Sequence, residues 1–225
     1  MIVFHKLSEV TSHSRSAVAI GNFDGCHLGH VALIKQLREK ARRFGYPLTV
    51  FTFYPHPVEV LNPAKKLERL TTTSEKLAFL EQMGVAVTLV EPFTQDLAAF
   101  APEAFFEKYL QTGLKAKIIS VGEDFRFGKG RAGNATTLKA LCEKHGMELL
   151  PFAPVEIDGK RVSSSSIREH IRQGEVSTAA KLLGRSHFVI GTVAPGDQRG
   201  RKLGFPTANL RVSAEKVIPK NGVYI

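Results

Sequence analysis

Ala17-Val18-Ala19-Ile20-Gly21-Asn22-Phe23-Asp24-Gly25-Cys26-His27-Leu28-Gly29-His30 decides how the rest of the chain is read. Residues 17–22 form an apolar run with the length of a buried strand. Beyond it Leu33, Leu37, Ala41 and Phe44 recur at three- and four-residue intervals, the spacing of one helix face. Gly45 ends that helix. A strand, a glycine-rich turn and a helix in succession leave unpaired amides and a partial positive charge at the helix start, where phosphates bind. Gly21, Gly25 and Gly29 let a ligand come close to the backbone. His27 and His30 stand three apart and project the same way from a helical turn. Two imidazole donors placed there can stabilise charge developing on a leaving pyrophosphate. A metal site recruiting Asp24 or Cys26, or two surface histidines, are the alternatives. The strand–turn–helix setting favours phosphate, and no second ligand pair stands elsewhere in the sequence.

Working outward, strand-like and helix-like segments alternate. Residues 48–53 read as a second strand, stopped by Pro55 and Pro57. Ser74 is the expected cap of a helix carrying Leu77, Leu80 and Met83, closed by Gly84. Residues 85–90 are a third strand. Pro102 opens a helix that Gly113 follows. Residues 117–121 are a fourth strand, Asn134 caps a helix closed by Gly146, and residues 147–152 are a fifth strand. This alternation predicts an α/β fold, a Rossmann-like doubly wound parallel sheet with ligands bound beyond the carboxyl ends of the strands. After Gly184 the texture changes. Residues 187–193, 207–212 and 222–225 read as short strands between Gly- and Pro-rich turns, the start of an incomplete small β-barrel. The expected domains are 1–184 and 185–225, and the second is too small to hold a core unaided. It stops inside a strand-like stretch, so the chain is expected to be truncated.

Hydrophobic residues make up 43% and charged residues 23% of the 225 residues, which excludes disorder, collagen and coiled coil. No stretch approaches the ~20 apolar residues of a membrane span, and residues 1–10 do not form a secretory signal. Cys26 and Cys142 cannot make a disulfide framework, and packing is their expected role. A cytoplasmic setting follows as the expectation. Lys and Arg outnumber Asp and Glu by 31 to 21, a net charge of +10 that implies anionic partners without choosing among them.

The H-x-G-H element after a first strand resembles the nucleotidyltransferase superfamily. Its form here, GNFDGxHxGH, is similar to the bacterial bifunctional riboflavin kinase/FMN adenylyltransferases (FAD synthetases). Four further segments carry the likeness in order along the chain: FYPHP at 53–57, GEDFRFG at 122–128, RVSSSSIR at 161–168 and GFPTAN at 204–209. The resemblance implies transfer of adenylyl from ATP to FMN, giving FAD and pyrophosphate, with Mg²⁺ as cofactor. For the full-length parent it implies riboflavin kinase activity as well, with a catalytic glutamate beyond residue 225. The implied partners are small molecules (ATP, FMN and riboflavin), with no nucleic acid and no membrane; the oligomeric state stays open.

Residue by residue, His27, His30 and Asp124 are implied as catalytic. Gly21, Asn22, Phe23, Gly25, Gly29, Arg161, Ser164, Ser165 and Arg168 would hold ATP and its phosphates. His56, Phe125, Arg126 and Phe127 would bind the flavin, and Thr207 and Asn209 would hold Mg²⁺ and ATP in the kinase unit. Each has a plain physical reading beside this. His56 sits in a proline-stiffened turn. Asp124 and Arg126 could be an ion pair under a loop, and the serines could merely cap a helix. A nucleotidyltransferase with another phosphorylated acceptor keeps the same residues. A nucleic-acid-binding protein would account for the charge, but no helix-turn-helix, zinc-ligand pattern or aromatic RNA motif is present.

Overall fold

The computed structural model describes residues 1–11, 14–196, 204–205 and 207–225. Its central sheet has six parallel strands: β1 (Ile2–Phe4), β2 (Ser16–Ile20), β3 (Leu48–Tyr54), β4 (Val87–Pro92), β5 (Ala116–Val121) and β6 (Glu148–Leu150). They lie in the order β1-β4-β3-β2-β5-β6. The expected doubly wound sheet is therefore present, with one strand more than expected. The addition is β1, three residues on the sheet edge beside β4 and too short to show a periodicity.

The helices are α1 (Leu28–Phe44), α2 (Pro57–Leu61), α3 (Thr73–Gln82), α4 (Gln95–Ala98), α5 (Pro102–Phe105), α6 (Ala135–Lys144), α7 (Ser164–Gln173) and α8 (Val176–Leu183). After α5 the chain continues as a wider π-helix over Phe106–Gly113. The cap of α3 is Thr72, not Ser74. Its hydroxyl accepts from the Glu75 amide while the Glu75 carboxylate accepts from the Thr72 amide. Only a cap at Thr72 places an acidic residue at the third helical position, and this reciprocal pairing satisfies two amides.

Side chains of β2 alternate across the sheet as a strand requires. Ala17 and Ala19 face α1 and α3, packing with Leu33, Ile34, Leu37 and Leu80. Val18 and Ile20 face the other way, toward Phe105, Phe106, Leu110 and Leu138. Both faces are thus sealed by helices, and fully burying each such aliphatic side chain stabilises the fold by roughly 1.5–3 kcal/mol. A third cluster joins Leu70, Val162, Ile167, Ile171, Ala179, Leu182, Leu183 and Val217. It brings α7 and α8 against the sheet's carboxyl end.

The second unit departs from expectation in two ways. Strands β9 (Gly191–Ala194) and β10 (Asn209–Val212) pair antiparallel, so two of the three expected strands exist, each shorter than expected. Residues 222–225 are not a strand: they are exposed and have no ladder partner among the described residues. Packing also crosses residue 184, since Val217 is wholly buried in the cluster that contains Leu70. Of the stretch around Thr207, residues 200–203 and Pro206 lie outside the described residues.

Candidate active site

The strand order reverses at β2, which has β3 on one side and β5 on the other. Connections leaving neighbouring strands there diverge to opposite faces and leave a crevice at their carboxyl ends. A crevice of about 480 Å³ lies at this place, lined by the loops after β2, β3 and β5 and by the start of α7.

The loop after β2 is held in a conformation that side chains resist. Phe23 and Cys26 both have positive φ, +50° and +41°, beside Gly25 at +81°. Such residues persist only where surrounding contacts over-determine them. Asp24 supplies most of those contacts. Its buried carboxylate accepts from the amides of Leu70 and Thr71 and from the Thr71 hydroxyl, at 3.0–3.3 Å, and pairs with Arg168 Nε at 3.4 Å. Its carbonyl accepts from the Ser164 hydroxyl at 2.8 Å. Arg185 donates to the Gly25 carbonyl at 2.6 Å and to that of Cys26 at 3.3 Å, with its guanidinium 3.8 Å from the Phe79 ring centre. Lys76 reaches from α3 to the Asn22 carbonyl (3.2 Å) and the Thr52 hydroxyl (3.0 Å). Burial lowers this ammonium from 10.5 to about 8.

His27 is the N-cap of α1: its Nδ1 accepts from the His30 amide at 3.4 Å. A neutral ring so placed carries its proton on Nε2. The rings of His27 and His30 stack with centroids 3.7 Å apart, and His30 leans on Phe23. Burial pushes His27 down to about 4 and His30 well below its ordinary value, so both rings are neutral at pH 7. His30 Nδ1 is buried without a hydrogen-bond partner. Gly29 makes the stack possible, because a Cβ there would sit 3.1 Å from the His27 ring. His56 caps α2 through its own Nδ1, accepting from the Val58 amide at 3.2 Å, and burial lowers it to about 4. Both its readings hold together, since it stiffens the turn and lines the crevice.

Most of the residues singled out from sequence meet at this crevice: Gly21, Asn22, Phe23, Gly29, His27, His30, His56, Asp124, Phe125, Arg126, Arg161, Ser164, Ser165 and Arg168. Four do not. Gly25 is turned inward, its amide taken by the Thr71 hydroxyl at 3.0 Å, and a Cβ would meet Leu70 at 2.6 Å. Phe127 is buried in the core against Phe105, beneath Phe125, because its backbone pairs with Gly133 and turns the ring inward. Thr207 and Asn209 are exposed in the second unit. Ser164 spends its hydroxyl proton on Asp24, whereas Ser165 is exposed at the crevice. Asp124 pairs with Arg161 (3.3 Å) and is 80% exposed. Cys26 and Cys142 are buried, and burial raises both thiols to about 12, consistent with packing.

Three residues that sequence reasoning passed over build the site: Asp24 as an anchor, Lys76 and Arg185. Asp24 was visible inside the motif, but its partners lie 46 to 144 residues away. A hairpin that carries Arg161 was also missed. Strands β7 (Glu156–Ile157) and β8 (Lys160–Arg161) pair across Asp158-Gly159, a dipeptide that signals a tight turn.

Comparison with known proteins places this geometry in a family. A profile described as FAD synthetase matches residues 9–166, and one described as riboflavin kinase matches residues 183–225. The bifunctional riboflavin kinase/FMN adenylyltransferase of Buchnera aphidicola is 36% identical over 222 residues, covering 98% of this chain and 70% of the relative. The Escherichia coli K12 enzyme of the same name is 36% identical over 220 residues, again 98% and 70%. That of Bacillus subtilis is 37% identical over 213 residues, covering 94% of this chain and 66% of its own length. A crystal structure from Streptococcus pneumoniae superposes with a TM-score of 0.90 at 33% identity, over 99% of this chain and 72% of that one. It is described as a macrolide-efflux protein; among the described residues here no helix is long and apolar enough to cross a membrane. A pantoate–β-alanine ligase from Francisella tularensis, 13% identical with a TM-score of 0.54 over 91% of this chain and 85% of that one, shares the fold alone. With two matching profiles in family order and relatives above one-third identity across nearly its whole length, the chain belongs to the bifunctional riboflavin kinase/FMN adenylyltransferase family.

Proposed function

We propose that the crevice joins the adenylyl group of ATP to the phosphate of FMN, releasing pyrophosphate. The observation that carries this is the meeting, in one crevice, of two helix N-termini, a stacked histidine pair and the aromatic loop after β5. The helix starts and Arg168 suit a triphosphate, and the Phe125 ring offers a flat face for an isoalloxazine. A phosphate oxygen of FMN attacks the α-phosphorus in line. The new P–O bond forms as the bond to the bridging oxygen breaks, and pyrophosphate leaves with that electron pair. No covalent enzyme intermediate is required, so the protein contributes position and charge stabilisation.

The neutral rings of His27 and His30 donate toward the leaving oxygens. Asn22 and the Gly21 turn hold the phosphate nearest β2, and Gly29 leaves room for it. The Ser165 hydroxyl and Arg168 hold the far phosphates, with Ser164 acting through Asp24. Arg161 releases Asp124 as the nucleotide enters, and Arg126 and His56 border the flavin. Mg²⁺ fits this crevice as an ion carried largely by the phosphates. Among the described residues no group of three metal-ligating side chains exists, whereas Asp124 and Glu123 at the rim supply hard oxygen donors of the kind Mg²⁺ takes. Bound there, it would neutralise phosphate charge. In the second unit, Thr207 and Asn209 would hold ATP phosphates and Mg²⁺ for phosphorylation of riboflavin.

Incubation with FMN, ATP and Mg²⁺ followed by chromatography tests the reading. FAD and pyrophosphate are expected in equal amounts. ATP turnover without FAD, or FAD formed equally well by a variant lacking both His27 and His30 rings, would overturn it.

A further inference from the structure

Residues 213–217 lie within the part matched by the riboflavin kinase profile, yet they pack as part of the first unit. Lys216 and Val217 are 3% and 0% exposed. The Lys216 ammonium pairs with Glu75 on α3 at 2.5 Å, and both side chains are almost wholly buried. That ammonium also lies 4.9 Å from the Phe188 ring centre. The chain here runs beside Arg69 as a short parallel bridge: the Arg69 amide donates to the Glu215 carbonyl and the Val217 amide donates to the Arg69 carbonyl. The Arg69 guanidinium joins Glu215 to Glu59 on α2.

These contacts lead straight to the phosphate loop. Glu75 Oε2 accepts from Lys216 and from the Thr72 amide at once. Thr72 follows Leu70 and Thr71, whose amides hold Asp24. Asp24 in turn fixes Arg168, and the Thr71 hydroxyl fixes Gly25. Val217 shares its apolar cluster with Leu70, Val162 and Ile167, which lie under both phosphate-binding segments. A buried pair of this kind resists loss of one partner, which leaves an uncompensated charge, far more than loss of both.

We infer that residues 215–217 are a positioning element of the adenylyl-transfer site, with Lys216 their buried anchor, which acts through Glu75 and Thr72 on the triphosphate side of the crevice. The inference rests on the adenylyl-transfer reading. The element couples the unit that contains Thr207 and Asn209 to the loop that grips ATP.

Two experiments on the full chain test it. In the first, Lys216→Met is compared with Lys216→Met/Glu75→Met and with wild type. The single variant is expected to raise the KM for ATP about tenfold, with FMN affinity, read by flavin fluorescence quenching, unchanged. The double variant, with neither charge buried, is expected to regain stability but to keep the raised ATP KM, because it also removes the carboxylate that accepts from the Thr72 amide; a return of the KM to within about threefold of wild type would show that charge compensation and not positioning had been lost, and would overturn the inference. An unchanged ATP KM, or equal weakening for ATP and FMN, would overturn the inference. The second uses wild type alone and stands even if Lys216→Met does not fold. ATP with Mg²⁺ is added, and amide hydrogen exchange is followed by mass spectrometry. Slowed exchange at residues 69–72 and 213–218 is expected; slowing confined to residues 21–30 and 163–168 would overturn it. Failure of wild type to form FAD would strike the adenylyl-transfer reading instead, and the exchange measurement needs no turnover.

Discussion

Replacing Lys76 with methionine should separate stability from function. The ammonium is 7% exposed and its hydrogen-bond partners, the Asn22 carbonyl and the Thr52 hydroxyl, are both neutral. Burial lowers it from 10.5 to about 8. A shift of that size corresponds to roughly 3 kcal/mol of stability lost by keeping the group charged at neutral pH. The sign follows from proton counts. The unfolded lysine holds its proton to about pH 10.5, while the folded one releases it above about pH 8. Between those values the unfolded chain binds more protons, so this contribution makes the fold more stable as pH rises; below pH 8 the penalty is complete. Methionine removes the penalty and takes one donor from the Thr52 hydroxyl and one from the Asn22 carbonyl, which still accepts from the Thr52 hydroxyl at 3.2 Å; the loss is about 1–3 kcal/mol. Stability at pH 7 should therefore stay within about 2 kcal/mol of wild type. ATP use should not. The charge under Asn22 both orients that turn and attracts phosphate, and a hydrogen bond to a charged group is worth about 1.5–3 kcal/mol, or roughly 10- to 100-fold. The assay is pyrophosphate release from pH 6 to 9.5, with urea unfolding at pH 7 and 9. Wild-type kcat/KM for ATP should fall above about pH 8 as the ammonium is lost, and the Lys76→Met profile should lie lower and flat. A variant within twofold of wild type at pH 7, or one that keeps the alkaline fall, would refute the role given to Lys76.

His27→Ala should bind FMN with unchanged quenching and lose turnover by about 100-fold or more, the usual cost of one donor to developing charge; a wild-type rate removes His27 from the mechanism. Since burial holds His27 at about 4, the kcat/KM of the free enzyme should show no fall attributable to it between pH 8 and pH 6. Asp24→Asn replaces an acceptor for two amides and an arginine with a group that must also donate. It should cost about 3–5 kcal/mol, as breaking a buried charged pair does, measured by urea unfolding. A loss below 1 kcal/mol would show that Asp24 does not anchor the loop.

What could be read in advance and what could not divides by distance along the chain. β2, α1 and β3 were legible because each declares itself within one window: an apolar run, a helical spacing, a terminal glycine in the left-handed region at Gly45. The place of the crevice was legible too, since it opens where strand β2 turns into helix α1. Ser74 was mistaken for a cap because four hydroxyl residues stand in a row at 71–74, and only Glu75, three beyond Thr72, identifies the right one. Phe125 and Phe127 look equivalent by alternation, but a backbone bridge to Gly133 sends one to the crevice and one to the core. No local signal could have joined Lys76 to Asn22, or Arg185 to Gly25, because those contacts span 54 and 160 residues.

Contacts at that same sequence separation cross residue 184 and bear on the loop after β2. The loop after β2, with Phe23 and Cys26 at positive φ, cannot hold its own shape. It is fixed from four directions: α3 through Lys76, the 70–72 turn through Asp24, α7 through Ser164 and Arg168, and the segment after α8 through Arg185. Helix α3 also receives the second unit, with Phe79 meeting both Arg185 and Phe188 and Glu75 meeting Lys216. One short helix therefore touches the loop after β2 on one side and Arg185, Phe188 and Lys216 on the other. Cutting the chain after residue 184 would remove Arg185 from two carbonyls of the loop and Lys216 from Glu75. It would leave Glu75 without its ammonium partner, beside the turn that holds Asp24. The loop that lines the crevice is thus held in part by residues beyond the sheet domain, although the sequence textures of the two halves differ.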